Sequence, residues 1–188
     1  GGIYQSYNIE PDIIMYGKTL GNGYAITAVV GKKDYMKFAQ NTFISSTFWT
    51  ERIGPAAALK TLEVMEEIKS WEIITKIGEK VSNGWNELAK SYNMSITVSG
   101  LPAISTFKFN YNDNLKYKTL ITQEMLKKGF LASTHFYACI EHSDKKIDDY
   151  FNELDNVFKI ISDCERGLKD IDNFLDGPVC HGGFSRLN

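Results

Sequence analysis

The chain of 188 residues lacks the features that mark membrane, secreted and nucleic-acid-binding proteins. No apolar run approaches the roughly 18 residues that a membrane-spanning helix requires. The first residues, Gly1 to Gln5, lack the basic head and apolar stretch of a signal peptide. The net charge of −2 offers no basic surface to nucleic acid or acidic lipid. We therefore expect no membrane partner and no nucleic-acid partner.

Cysteine and proline are also scarce, with three and four residues respectively. The cysteines, Cys139, Cys164 and Cys180, are odd in number and irregularly spaced, which favours reduced thiols and a cytoplasmic location over a disulfide framework. Cys139 precedes His142 by three positions and Cys180 adjoins His181, but neither pair has the spacing of a zinc site. The sequence therefore predicts no bound metal.

The most informative segment that the chain does have surrounds one lysine. It reads Pro11-Asp12-Ile13-Ile14-Met15-Tyr16-Gly17-Lys18-Thr19-Leu20-Gly21-Asn22-Gly23. A short apolar run of strand length delivers Lys18 into a glycine-rich loop. Ligands of α/β proteins bind at the carboxyl ends of strands, so an amine at this point is well placed for covalent chemistry. On local sequence alone, a solvated loop lysine is the alternative.

Hydrophobic periodicity predicts alternating strands and helices along the chain, which indicates an α/β protein. The predicted strands cover 12–16, 24–31, 96–99, 104–109, 130–132 and 136–140. Within the second, Ala25 to Val30 is a continuous apolar run of the length of a buried strand. The predicted helices cover 32–40, a segment starting near Pro55, 71–90, 117–128 and 145–164. Two of them have an apolar stripe at helical spacing, formed by Ile74, Ile77, Val81, Trp85 and Leu88 and by Ile147, Phe151, Leu154, Phe158 and Ile161. Gly129, which follows two lysines, is expected to end the fourth helix.

Several segments together resemble the class III aminotransferases, which are pyridoxal-phosphate enzymes of fold type I. The segments are Ile9 to Asp12, Gly17 to Gly23, Ala28 to Gly31, Ser45 to Arg52 and Ala56 to Leu62, followed by Phe130 to Ser133, His142 to Asp144 and Pro178 to His181. The likeness is greatest to the glutamate-1-semialdehyde aminotransferase-like branch. It implies the C-terminal portion of such an enzyme. Residues 1–70 would be the end of the large cofactor-binding domain, and 71–188 a linking helix with a small α/β domain.

The resemblance also implies roles for two residues. Lys18 matches the lysine that forms a Schiff base with pyridoxal 5′-phosphate and moves the substrate Cα proton. Thr47 matches a threonine that reaches across a homodimer interface to the phosphate of the partner's cofactor, so that active sites are shared. A Ser/Thr-rich loop that satisfies its own backbone is the alternative for Thr47. The implied substrates are a small amino donor and a keto or aldehyde acceptor.

Three other interpretations stay open or are weighed against this one. Gly17-Lys18-Thr19 is similar to the end of a P-loop, but Asp12 stands where that motif needs a glycine. An aminomutase of the glutamate-1-semialdehyde type would use the same lysine, although Tyr137 stands where the aminomutase has glutamate, which favours transamination. The third is an inactive C-terminal fragment that acts as a binding or oligomerisation module.

The remaining polar residues of interest are predicted to be structural. Glu51 and Arg52 are expected to pair on the surface, with a substrate rim as the alternative. His135 is expected to be a packed or interfacial histidine. We also expect the chain on its own to expose a large apolar surface.

Overall fold

The computed structural model describes residues 2–183, and the chain divides into two compact units, Gly1–Ser70 and Trp71–Asn188. The strands are β1 (Ile13–Tyr16), β2 (Ala28–Gly31), β3 (Ile96–Leu101), β4 (Ile104–Phe109) and β5 (His135–Tyr137). The helices are α1 (Lys33–Met36), α2 (Ile53–Ile68), α3 (Ser70–Ser91), α4 (Asn114–Lys127) and α5 (Asp144–Glu165). Four 3-10 helices cover Ile3–Tyr7, Lys18–Leu20, Lys37–Asn41 and Ile171–Phe174. None of the helices in 2–183 has the length and apolar character needed to cross a membrane.

The first unit is built on a two-stranded antiparallel ladder. β1 pairs with β2 from Ile13 opposite Gly31 to Tyr16 opposite Ala28. The segment 17–27 between the two strands forms the loop that carries Lys18. Both strands were expected, although β2 begins four residues later than predicted because the preceding residues belong to this loop. The helix expected over 32–40 is divided into α1 and a 3-10 helix.

The first unit buries little of its apolar surface. Among the hydrophobic side chains of 2–70, Ala58 alone is buried. Val29 and Val30 were expected in a buried strand, yet they are 53% and 44% exposed. Phe43 is 94% exposed on the segment that leads into α2. The prediction of an exposed apolar surface is therefore confirmed for this unit.

The second unit has a three-stranded antiparallel sheet in the order β3-β4-β5. β3 and β4 pair from Ile96 opposite Phe109 to Leu101 opposite Ile104, which makes a tight hairpin around Pro102 and Ala103. β5 pairs with the start of β4, with Ser105 opposite Phe136. Alternate residues of β4, including Phe107 and Phe109, are buried, as expected for a sheet with one face on a core.

The core of the second unit joins this sheet face to α3, α4 and α5. The predicted helical stripes are confirmed, because α3 buries Val81 and Trp85, and α5 buries Leu154 and Phe158. The Trp85 and Phe107 rings have centroids 4.7 Å apart. The core comprises Val81, Trp85, Ala89, Met94, Phe107, Phe109, Tyr117, Leu120, Ile121, Met125, Ile147, Leu154, Val157, Phe158, Ile161 and Ile171.

The end of α4 shows why one expected strand is absent. Gly129 has a φ of +86°, and its N–H donates to the carbonyl of Leu126, while the N–H of Phe130 donates to Met125. These two bonds form a Schellman motif, so the predicted glycine stop is confirmed. Because the N–H of Phe130 closes the helix, 130–132 does not join the sheet, and the strand starts only at His135.

Candidate active site

Lys18 lies two residues beyond β1, at the first position of the 3-10 helix Lys18–Leu20. Gly17 before it is fully extended, with φ −161° and ψ −157°. The lysine is exposed, and it takes part in none of the ion pairs or side-chain hydrogen bonds found within 2–183. The amine is therefore available for reaction at the end of a strand, where the sequence placed it.

The backbone of Lys18 is unusual. Its φ is +49°, in the left-handed region that disfavours residues with a Cβ. Five described residues other than glycine have such a φ. Three are asparagines, which tolerate it, and a fourth, Lys69, is the residue that ends α2. Lys18 is neither an asparagine nor the end of an α-helix. The surrounding loop must therefore stabilise its strained backbone, as is common at functional sites.

A cleft of about 780 Å³ opens beside Lys18 within the first unit. Such a volume is in the range of sites that hold small molecules and cofactors. The cleft is bounded by the 23–27 part of the lysine loop and by the segment that enters α2. Its lining residues are Lys18, Gly23, Tyr24, Ala25, Ile26, Thr27, Ser46, Phe48, Trp49, Glu51 and Pro55.

Gly54 fixes how α2 meets the wall of this cleft. The residue is buried in the first turn of α2, and a Cβ placed on it would lie 2.7 Å from the carbonyl oxygen of Ala25. It would also lie 3.3 Å from the Cβ of Ile26. Glycine therefore allows the helix backbone to lie directly against Ala25 and Ile26, which line the cleft.

Thr47 lies in the turn that precedes α2 in the sequence. The N–H of Trp49 donates to the Ser46 carbonyl, at 3.3 Å, and the N–H of Phe48 donates to the Ser46 hydroxyl, at 3.2 Å. Thr47 is exposed and does not line the cleft, although its neighbours Ser46 and Phe48 do. The structure thus does not bring the Thr47 side chain into the same cleft as Lys18, and its role stays a prediction.

Glu51 does not form the expected surface pair with Arg52. Its carboxylate accepts hydrogen bonds from the backbone N–H groups of Ile53 and Gly54, the latter at 3.0 Å. The negative charge therefore lies at the N-terminus of α2, where the helix dipole favours it. An acidic residue just before a helix start was a sequence signal for this arrangement.

A second cleft, of about 470 Å³, lies within the second unit and holds the histidines discussed from sequence. His135 and Tyr137 line it, as does His142, whose Nδ1 accepts the N–H of Cys139 at 3.0 Å. The imidazole lies 5.0 Å from the Phe136 ring. Burial, and secondly the positive charge of Lys146, lowers the pKa of His142 below its usual value.

The cysteines and histidines of this region do not converge on a metal. The contact between Cys139 and His142 uses the backbone N–H rather than the thiol. The Sγ of Cys180 instead contacts the carbonyl of Leu115, at 3.6 Å. In the part of the chain that the structure describes, no three His, Cys, Asp or Glu side chains are grouped as metal ligands would be.

Comparison with known proteins identifies the family. The sequence profile described as aminotransferase class-III matches residues 3–157. The chain belongs to the class-III aminotransferases. A 3-aminobutyryl-CoA aminotransferase of Cloacimonas acidaminovorans is 29% identical to this class-III chain over an alignment of 153 residues, and the match covers 78% of the chain and 37% of that protein. A glutamate-1-semialdehyde 2,1-aminomutase of Methanococcus maripaludis is 30% identical over 176 residues, covering 85% of the chain and 41% of that protein.

Solved structures confirm the fold of this class-III chain. The FumI protein of Sphingopyxis sp. MTA144, solved in its PLP internal aldimine form, superposes with a TM-score of 0.79. The match covers 92% of the chain and 42% of that structure, at 20% identity. The predicted family and fold class are thus confirmed. The chain spans about two-fifths of the length of the curated relatives that it matches.

Proposed function

We propose that the protein containing this chain transfers an amino group between a small amino donor and a keto or aldehyde acceptor, with pyridoxal 5′-phosphate as cofactor. Membership of the class-III family supports the reaction class. The observation that carries the proposal is the available amine of Lys18, held with a φ of +49° at the edge of a cleft. The P-loop alternative lacks the glycine that its motif needs five residues before Gly17, where Asp12 stands.

The residues present fit the proposed cofactor. The cleft of about 780 Å³ is large enough for a substituted pyridine ring with its phosphate. Tyr24, Phe48 and Trp49 give it flat apolar walls. When bound, the cofactor supplies the electron sink that stabilises a carbanion at the substrate Cα.

Two groups of this chain would act on the bound molecules. The Lys18 Nζ would bind the cofactor aldehyde covalently and, once displaced by substrate, would take and return the Cα proton. The Thr47 hydroxyl would donate to a phosphate oxygen of the partner's site in a homodimer. The exposure of Thr47, outside the cleft that its own neighbours line, supports a role in a second copy rather than in its own.

Two alternatives are kept because specific observations favour them. An aminomutase agrees with the 30% identity to the Methanococcus enzyme. Tyr137, which stands where the resemblance gives the aminomutase a glutamate, favours amino transfer from an external donor instead. An inactive fragment agrees with a chain that spans only about two-fifths of its relatives.

A reducing, cytoplasmic setting is proposed from Cys139, Cys164 and Cys180, which are all free thiols.

Reductive trapping tests the central assignment. The full-length protein is incubated with pyridoxal 5′-phosphate, reduced with borohydride and mapped by peptide mass spectrometry. We expect the label on Lys18 and its loss in Lys18→Ala. Lys33, exposed in α1 and outside the described ion pairs, is the matched control, so Lys33→Ala keeps the label on Lys18. Label spread evenly over exposed lysines would contradict the proposal.

Subunit mixing tests the shared site. Lys18→Ala and Thr47→Ala proteins are each expected to be impaired in amino transfer. In a mixed dimer one site has both an intact Lys18 and an intact Thr47 from the other subunit, so mixing after mild dissociation restores activity. No restoration, with mixed dimers demonstrated by mass spectrometry, would show that the two residues act within one subunit.

Transfer from external donors to a panel of keto acids and aldehydes separates transaminase from aminomutase.

A further inference from the structure

The segment from Ser46 to Glu51 is folded against the start of α2 by a continuous set of hydrogen bonds. The N–H of Trp49 donates to the Ser46 carbonyl, at 3.3 Å, and the N–H of Glu51 donates to the Phe48 carbonyl, at 3.1 Å. The Glu51 carboxylate then accepts from Ile53 and Gly54. Thr47 lies inside this set of bonds, so the position of its backbone depends on the bonds made at both ends.

Every backbone donor of the first turn of α2 is accounted for. The N–H groups of Ile53 and Gly54 donate to Glu51, and Pro55 has no N–H. The N–H of Ala56 donates to the Arg52 carbonyl, at 3.0 Å. Arg52, at the N-cap position, makes no side-chain capping bond. Helix N-termini commonly bind anions, but here the chain's own carboxylate already takes that place.

An anion that reaches this turn must therefore be bound by other donors. The turn presents two exposed hydroxyls outside the cleft, those of Thr47 and Thr50, and the proposed function assigns the phosphate contact to Thr47. The turn itself is fixed in place by α2, which lies against Ala25 through Gly54. The location of the hydroxyl is consequently coupled to the carboxylate that joins the turn to the helix.

We propose that Glu51 is a positioning residue: it joins the Ser46–Glu51 turn to the first turn of α2, and so sets where the Thr47 hydroxyl meets a cofactor phosphate. The inference rests on the proposed function, because it assumes a phosphate at Thr47. It adds that phosphate recognition here uses a side-chain hydroxyl rather than the helix N-terminus. Because Glu51 also lines the cleft, removal of the carboxylate affects both ends of the cofactor, and the phosphate end more than the aldehyde end.

The test compares two ligands that differ only in the phosphate, pyridoxal 5′-phosphate and pyridoxal, with the full-length protein. Dissociation constants are measured from the absorbance change on binding. Glu51→Ala is expected to weaken binding of pyridoxal 5′-phosphate about tenfold more than binding of pyridoxal, a difference equivalent to one charge-assisted hydrogen bond. Glu66→Ala, an exposed glutamate later in α2, leaves both constants unchanged.

Two further variants keep the inference testable. Glu51→Gln retains an oxygen that accepts one helix N–H, so it should fold and show the same bias at smaller size. Glu51→Ala added to Thr47→Val should have no further phosphate-specific effect, because the positioned hydroxyl is already gone. Equal weakening of both ligands, or no bias in Glu51→Gln, overturns the inference. Absence of Lys18 labelling in the unmodified protein would instead overturn the proposed function, so the two failures are distinguishable.

Discussion

The two units of the chain differ in where they keep their apolar side chains. Across 71–183, the second unit buries sixteen hydrophobic residues in one cluster, with Trp85, Leu120, Leu154 and Phe158 fully inaccessible. In the first unit, across 2–70, only Ala58 is buried among the hydrophobic residues. The unit with Lys18 and its cleft is thus the one with almost no interior of its own.

This difference teaches that the proposed chemistry and the folding stability reside in separate parts of the chain. Burial of apolar surface is the dominant favourable term in folding, and the second unit obtains it from its own residues. The first unit exposes Ile13, Met15 and Val29 on its ladder, a surface that monomeric proteins rarely leave open. We therefore expect the first unit to depend on contacts beyond its own residues.

The largest expected effect comes from separating the units. Residues 71–188 expressed alone should fold cooperatively, because their core is complete within the segment. Residues 1–70 alone should give no cooperative thermal transition by circular dichroism and should bind the dye ANS. A cooperative transition in 1–70, or its absence in 71–188, would break the comparison.

A matched pair of leucine substitutions gives the next largest effect. Leu154 in α5 is 0% exposed, and Leu59 in α2 is 70% exposed. Leu154→Ala should lower the free energy of unfolding by about 2–5 kcal/mol, because it leaves a cavity in close-packed surroundings. Leu59→Ala should change it by about 0.5 kcal/mol or less, as is usual for surface positions. Urea unfolding of the 188-residue chain measures both, and equal costs would show that α2 has a buried face.

A smaller effect on stability is expected at Lys18, because it depends on backbone conformation rather than on side-chain packing. At a φ of +49°, Lys18→Gly should be more stable than Lys18→Ala by about 1 kcal/mol, because glycine has no Cβ to oppose the left-handed conformation. At Lys33, the first residue of α1, the backbone is helical and the order should reverse, since alanine favours helix over glycine. Thermal unfolding of the four variants of the full-length protein, where the first unit has the further contacts we expect it to need, provides the measurement. The same order at both sites would show that Lys18 is unstrained.

The smallest expected effect is a dependence of the second unit on pH. Burial and Lys146 lower the pKa of His142 in the folded protein, so the unfolded chain binds a proton at this side chain more readily. Stability should therefore fall as the pH drops below about 6.5, the ordinary histidine value, towards the folded pKa. His142→Asn, whose side-chain oxygen can still accept the Cys139 N–H, should show a weaker loss between pH 7.5 and 5.5 in thermal unfolding. An equal loss in both proteins would assign the effect to other groups.

Local sequence patterns predicted the second unit better than the first, for a physical reason. The amphipathic stripes of α3 and α5 reflect burial within this chain, so their spacing matches the observed core. The apolar run of β2 predicted burial that the described chain does not provide, because sequence records that a side chain is apolar but not what covers it. The prediction of a strand at 130–132 was wrong because the N–H of Phe130 donates to the carbonyl of Met125 at the end of α4.

The site was predicted in part. The placement of Lys18 after a strand followed from the apolar run and the glycines, and the structure confirms it. Hydrophobic periodicity did not predict the left-handed backbone of this lysine or the hydrogen bonds between Glu51 and α2. Both depend on how the loop and the helix meet. The roles of Lys18 and Thr47 stay predictions until the labelling and mixing experiments are done.

Two of the three tryptophans can serve as fluorescence reporters of different parts of the chain. Trp85 is 0% exposed, and its indole N–H donates to the Tyr150 hydroxyl at 2.9 Å, so it should emit at short wavelength from a dry environment. Trp49, 69% exposed on the wall beside Lys18, should emit at long wavelength and be quenched by any chromophore that enters there. Trp71, at 47% exposed, can be replaced by phenylalanine to leave the two signals separate. One fluorescence spectrum would then report both the unfolding of the second unit's core and the binding of a chromophore in the cleft beside Lys18.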